Sequence, residues 1–92
     1  MLNYNGNAFA LGQNLPNPAK DNTRITYSIP NDGQVTFTVY TITGQTLHIE
    51  QKDACSGKNS ILFNTANLAN GIYYYSVEYK GERLVKKMTV QK

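Results

Sequence analysis

The chain has 92 residues, a formal charge of +3, 40% hydrophobic and 11% aromatic residues, and seven Tyr with no Trp. That length suits one core rather than two, and the composition lacks the aromatic-poor, charge-rich signature of disorder. Five of the nine bases (Lys80, Arg83, Lys86, Lys87 and Lys92) lie in the last thirteen residues, and Arg24 and Arg83 are the only arginines, which argues against the broad Arg-rich stripe of a nucleic-acid binder.

Residues 1–13 are rich in Asn and Gly and lack alternation, so they read as a linker ending in a short edge strand at Phe9 to Leu11. The start, Met1 to Asn7, has no basic n-region and no apolar h-region. Taken as the start of a whole protein it predicts a cytoplasmic chain; taken as part of a longer precursor it carries no such implication. The folded domain is expected over 14–92. Pro16 and Pro18 hold Leu15 and Asn17 out of helix and make a stiff approach to it.

From there the apolar period is two. Ile25, Tyr27 and Ile29, then Val35, Phe37 and Val39, each mark one inward face, and Leu47 with Ile49 and Ile61 with Phe63 are expected to continue it. His48 is accordingly expected to face solvent. Residues 72–79 are β-branched or aromatic at most positions and predict a central strand, with Tyr73, Tyr75 and Tyr79 on one face and Tyr74 on the other. In the last segment, Arg83 to Gln91, Met88 and Val90 are expected inward and Lys87 and Thr89 outward, a register that a one-residue slip would reverse. Glycines at 33, 44, 57, 71 and 81 punctuate these runs at a spacing close to that of a small sandwich or barrel, and residues 65–70 suggest a single helical turn with Leu68 packed beneath. The expectation is an all-β fold of about seven short antiparallel strands.

Candidate chemistry is sparse. His48 and Cys55 form the one possible nucleophile and base pair, with no third group to orient it, and a single Cys excludes an internal disulfide and a Cys-based zinc site. Asp21, Asp32 and Asp53 fall in predicted turns, where Asp bonds its own backbone. No spacing suggests a metal site or a phosphate loop, so no catalytic residue and no cofactor is expected. No apolar run approaches the roughly 20 residues of a membrane helix. The tyrosines could form a stacking platform for a sugar or peptide, but inward-facing Tyr with its hydroxyl at the rim is the commoner arrangement. The basic last strand has two readings, lysines that block edge-to-edge aggregation and a terminus that a receptor captures by strand addition and charge.

The ordered motifs Asn14-Leu15-Pro16-Asn17-Pro18, Ile25-Thr26-Tyr27-Ser28-Ile29-Pro30, Val39-Tyr40-Thr41-Ile42-Thr43-Gly44, Asn67-Leu68-Ala69-Asn70-Gly71-Ile72-Tyr73 and Lys86-Lys87-Met88 resemble the type A C-terminal sorting domain of the type IX (Por) secretion system of Bacteroidetes. The resemblance spans about residues 12–92. It implies an immunoglobulin-like β-sandwich at the end of a larger exported cargo, passing through the periplasm to the outer membrane, cell surface or medium. The implied partners are the outer-membrane translocon and a sortase-like cysteine protease that removes the domain, by cleavage within Leu2 to Gly12 or upstream. It places the recognition signal at Gly81, Lys86, Lys87, Met88, Val90 and Lys92, and gives structural roles to Asn14, Pro16, Asn17, Pro18, Gly44, Gly71 and Tyr73. Ala19 stands where the family often has an aromatic and Thr41 where it often has Asp, which predicts a weaker packing contact and a weaker turn bond. The rivals are an accessory carbohydrate-binding or adhesion sandwich using exposed tyrosines, and a structural spacer. An exposed edge strand also offers a route to a strand-exchanged homodimer.

Overall fold

Short runs of alternating apolar residues, too short and of the wrong period for helices, become strands throughout. The computed structural model describes residues 8–92 and contains β1 (Ala10–Leu11), β2 (Asn22–Ile29), β3 (Gly33–Thr41), β4 (Thr46–Ala54), β5 (Gly57–Asn64), β6 (Gly71–Tyr79) and β7 (Glu82–Val90). They form two antiparallel sheets, β1-β2-β5 and β4-β3-β6-β7. In immunoglobulin lettering this is A-B-E facing C′-C-F-G. The expected all-β sandwich is therefore the observed one.

The inner faces carry the core. Ile25, Tyr27 and Ile29 of β2 meet Val35, Phe37 and Val39 of β3, Tyr75, Val77 and Tyr79 of β6, and Met88 and Val90 of β7, all buried. Strand β6 lies between β3 and β7, as its sequence predicts, and the expected inward register of β7 is also the one adopted.

Strand β4 departs from expectation. Leu47 and Ile49 face outward, at 40% and 64% exposure, while His48, Glu50 and Lys52 are only partly exposed on the inner side. Pairing decides this: Thr38 is on the outer face of β3 and its partner is Ile49, whereas the inward Phe37 and Val39 pair with Glu50 and His48. Because β4 is the fourth strand facing a three-stranded sheet, its inner side lies at the rim, where polar groups reach water. His48 consequently lies on the inner side with its ring 5.9 Å from Phe37 and 5.3 Å from Phe63, while its side chain stays partly exposed at the rim.

Two local expectations change as well. Residues 65–70 form a turn, closed by Leu68 N–H to Thr65 O at 3.0 Å, rather than a helical turn, although Leu68 does pack against the core. Asp53 lies within β4, and the Asp32 carboxylate accepts from Ser56 N at 2.8 Å, joining two loops in place of bonding its own backbone.

The β6–β7 hairpin turns on two residues, Lys80 and Gly81, with φ of 49° and 84°. Positive φ at both positions is the primed turn whose twist matches the strands it joins. Gly81 takes that conformation without the steric cost of a Cβ. Gly81→Ala should lower stability by about 1–2 kcal/mol, measured as a shift in the urea midpoint at unchanged m-value.

Candidate functional site

The chain before β2 crosses from one sheet to the other. Strand β1 pairs with β2, Gly12 N–H donates to Thr26 O at 2.7 Å, and Leu15 forms a bridge with Arg24, all on the three-stranded sheet. By Ala19 the chain has joined the other sheet: Ala19 N–H donates to Thr89 O at 2.8 Å and Gln91 N–H donates to Ala19 O at 2.9 Å. At Gly12 the approach is close enough that a Cβ would meet the Thr26 carbonyl oxygen at 3.0 Å.

A crossing segment leaves backbone groups that no ladder can satisfy, and buried polar groups need partners. Asn14 supplies them. Its fully buried amide donates to Pro16 O and to Thr23 Oγ1, both at 3.1 Å, and its Oδ1 accepts from Gln13 Nε2 at 2.6 Å. Thr23 Oγ1 donates to the same Pro16 carbonyl at 3.0 Å, and Tyr75 OH donates to Gly12 O at 2.7 Å. Asn17 Oδ1 accepts Thr89 N–H at 3.2 Å, and Pro18 leads into the buried Ala19. The Asn14 to Pro18 motif is thus a clasp between the sheets.

Tyr73 and Lys92 hold the turn before β6. Tyr73 OH donates to Ala69 O at 2.6 Å, a tyrosine-corner arrangement at the start of strand F. Lys92 Nζ donates to Ala66 O and Leu68 O, both at 2.6 Å, and Lys92 N–H donates to Asn70 Oδ1 at 3.1 Å. Gly71 opens β6, and Gly44, at φ 95°, turns β3 into β4. There Thr41 Oγ1 accepts from Gln45 N at 3.1 Å, so its hydroxyl provides the turn bond that an Asp carboxylate would otherwise make.

The residues expected to form a terminal signal fall into separate environments. Met88 and Val90 are core, Lys92 is bound to the turn, and Gly81 belongs to the hairpin. Lys86 lies half-buried on the inner side of β7, and Lys87 is exposed on the outer side. The outer face of the four-stranded sheet also carries Tyr40 and Tyr74, stacked with centroids 6.1 Å apart, and the Arg83 guanidinium lies 5.6 Å from the Tyr40 ring. Gln13, Thr23 and the Tyr75 hydroxyl were not singled out by the sequence, and Lys92, expected in the recognition signal, instead bonds a turn, because Gln13, Tyr75 and Lys92 have partners far along the chain and Thr23 acts through Asn14 and Pro16. The Asn-rich composition before Pro16 was the available hint.

No nucleophile and base come together at His48 and Cys55. They are seven positions apart on one extended run, on the order of 23 Å. His48 Nε2 instead meets Glu50 Oε1 at 2.9 Å, and Lys52 Nζ lies 3.3 Å from Glu50 Oε2. The hydrogen bond from His48 and the nearby Lys52 hold the Glu50 carboxyl below its ordinary range. Cys55 is exposed in the β4–β5 corner. Among the described residues no group of three or more His, Cys, Asp or Glu side chains is placed to hold a metal ion, and no helix is long and apolar enough to cross a membrane.

The domain is an immunoglobulin-like sandwich closed by a polar clasp, with a basic strand at one edge. The family model for the secretion system C-terminal sorting domain matches residues 15–91, and the chain belongs to that family, the type IX sorting domains. Curated proteins provide no match. Membership makes the chain a secretion sorting signal carried by an exported protein, in a family whose role is sorting and not catalysis.

Two measurements test the clasp. Asn14→Ala strips partners from Gln13, Thr23 and Pro16 O in a buried site and should cost about 1–3 kcal/mol, read by urea denaturation. Burial pushes the Tyr75 phenol from 10.0 up to about 12. Its contribution is therefore complete below pH 10 and is lost as pH rises toward 12. Tyr75→Phe should flatten the fall in stability over that window, while also lowering stability at neutral pH through the loss of the bond to Gly12 O.

Proposed function

We propose that residues 8–92 are a rigid, non-catalytic handle that brings a larger cargo to the type IX outer-membrane translocon. A sortase-like cysteine protease then removes it. The observation that carries this reading is the family match, joined to a sandwich that displays Lys86 and Lys87 on a terminal strand anchored by Met88 and Val90. On this reading the lysines are the part a receptor reads, and Gly81, Met88, Val90 and Lys92 hold the strand that presents them.

The scissile bond belongs upstream of Ala8. Ala10 to Gly12 are hydrogen-bonded to β2, and Ser28 Oγ donates to Ala8 O at 2.8 Å, so peptide bonds from there onward are poor protease substrates. The part of the expected cleavage window over residues 1–7 lies outside the described residues. The rival glycan-binding reading has less support. Tyr73, Tyr75 and Tyr79 point inward with hydroxyls bonded to Ala69 O, Gly12 O and Asn31 O, and on the outer face Tyr40 is flanked by Tyr74 and Arg83.

The test fuses the 92-residue chain to a fluorescent cargo with its own signal peptide, in a type IX-competent bacterium. Deleting Lys86 to Lys92 would remove core residues, so the informative variant is Lys86→Gln with Lys87→Gln. Wild-type cargo should reach the surface or medium, and the folded double variant should leave it in the periplasm. Equal export of both would overturn the assignment of the signal to these lysines, and export of neither would overturn the sorting role.

A further inference from the structure

The outer edge of β7 is divided. Tyr79 pairs with Glu82 across the two-residue turn, and pairs that exchange both hydrogen bonds then recur at every second position. The N–H and C=O groups of Arg83, Val85, Lys87, Thr89 and Gln91 therefore point away from β6. The far half of this edge is taken: Thr89 bonds Ala19 and Asn17, Gln91 N–H reaches Ala19 O, and Lys87 O accepts from Gln13 Nε2 at 2.8 Å. The near half has no such partner among the described residues. Strand β1 approaches this side from the other sheet but forms no backbone hydrogen bond with β7.

We propose that this open half, from Arg83 to the N–H of Lys87, is a docking edge for an extended acidic segment of a partner protein. Charge selects the occupant. Arg83 and Lys87 flank the exposed Val85 on the outer face, the Arg83 guanidinium lying back over Tyr40 until a ligand draws it to the edge, and Lys86 adds a third base on the inner side. Glu78 and Glu82 are the neighbouring acids, and neither forms an ion pair with these bases among the described residues. A second copy is a poor occupant: two-fold pairing centred on Val85 sets Arg83 beside the other copy's Lys87, and directly opposed like charges destabilise a pair. A strand with acids two positions either side of an apolar residue instead meets Arg83, Val85 and Lys87 in one register, with main-chain bonds to the open groups. The inference rests on the export reading, since it names the chemistry of the receptor segment.

The experiment titrates the 92-residue chain with a blocked peptide of core Glu-Thr-Val-Thr-Glu, and with a control in which both Glu are Lys, following backbone amides by NMR. Saturable shifts at the Arg83, Val85 and Lys87 amides, weakened by salt and absent with the control, are expected. Val85→Pro removes one outward N–H and should bind about tenfold or more weakly. Arg83→Glu with Lys87→Glu, surface changes that leave the core intact, should reverse the preference between the two peptides. Equal binding of both peptides, shifts confined to β4, β5 or the Tyr40–Tyr74 face, or dimerisation of the chain through these amides would overturn the inference. Export separates the two ideas. A wild-type fusion that is exported while the peptide fails to bind sinks the docking edge alone, and a wild-type fusion that is not exported sinks the sorting role.

Discussion

The buried amide of Asn14 is the constraint on which the rest of this domain depends. The chain that leaves one sheet and joins the other is exposed at Gln13 and from Leu15 to Pro18, so Asn14 is the one residue of the crossing that is buried, and its polar side chain must find partners inside the fold. Asn14 and Thr23 converge on the Pro16 carbonyl, and Tyr75 reaches Gly12 O from across the core. With the crossing held there, Ala19 arrives beside Thr89 and Gln91. Met88 and Val90 are buried beside that contact, and the other half of the outer edge of β7 has no backbone partner among the described residues.

The C-terminal bases therefore do different things despite being neighbours in sequence. Lys92 satisfies carbonyls of the turn before β6, Arg83 lies against Tyr40, and Lys86 and Lys87 retain free ammonium groups on opposite sides of one strand. A cluster that looks like one basic patch in the sequence is divided by the alternation of the strand. Core packing and solvent exposure are thereby carried by different residues of the same seven-residue stretch, so under the proposed sorting role a signal can be exposed on an element that is also core.

How much of this was legible depended on whether a residue's environment was set locally. Strands β2, β3 and β6 bury nearly all of one face and β7 buries Met88 and Val90 on its inner face, so period-two alternation reported their registers, down to Tyr74 on one side and Tyr73 and Tyr75 on the other. Strand β4 failed because its inner side overhangs the three-stranded sheet. There His48, Glu50 and Lys52 occupy inward positions, and apolar Leu47 and Ile49 point out. The clasp was legible as a motif but not as a mechanism, since the partners of Asn14 and Gly12 lie up to 63 residues away. Thr41 shows the same limit on a smaller scale: its hydroxyl makes the turn bond, which residue type alone did not indicate.

The two halves of the outer edge of β7 also differ in the length of chain that must close before they are completed. The half next to Gly81 closes a two-residue loop, so it forms from local contacts alone. The half bonded to Ala19 must wait for a loop of some seventy residues, and loop closure of that length is entropically costly and slow. Contact separation therefore favours closure of the hairpin before the clasp. Until the clasp closes, the outer edge of β7 lacks the partners that residues 13–19 supply, and their arrival shortens it to the stretch that has no backbone partner among the described residues.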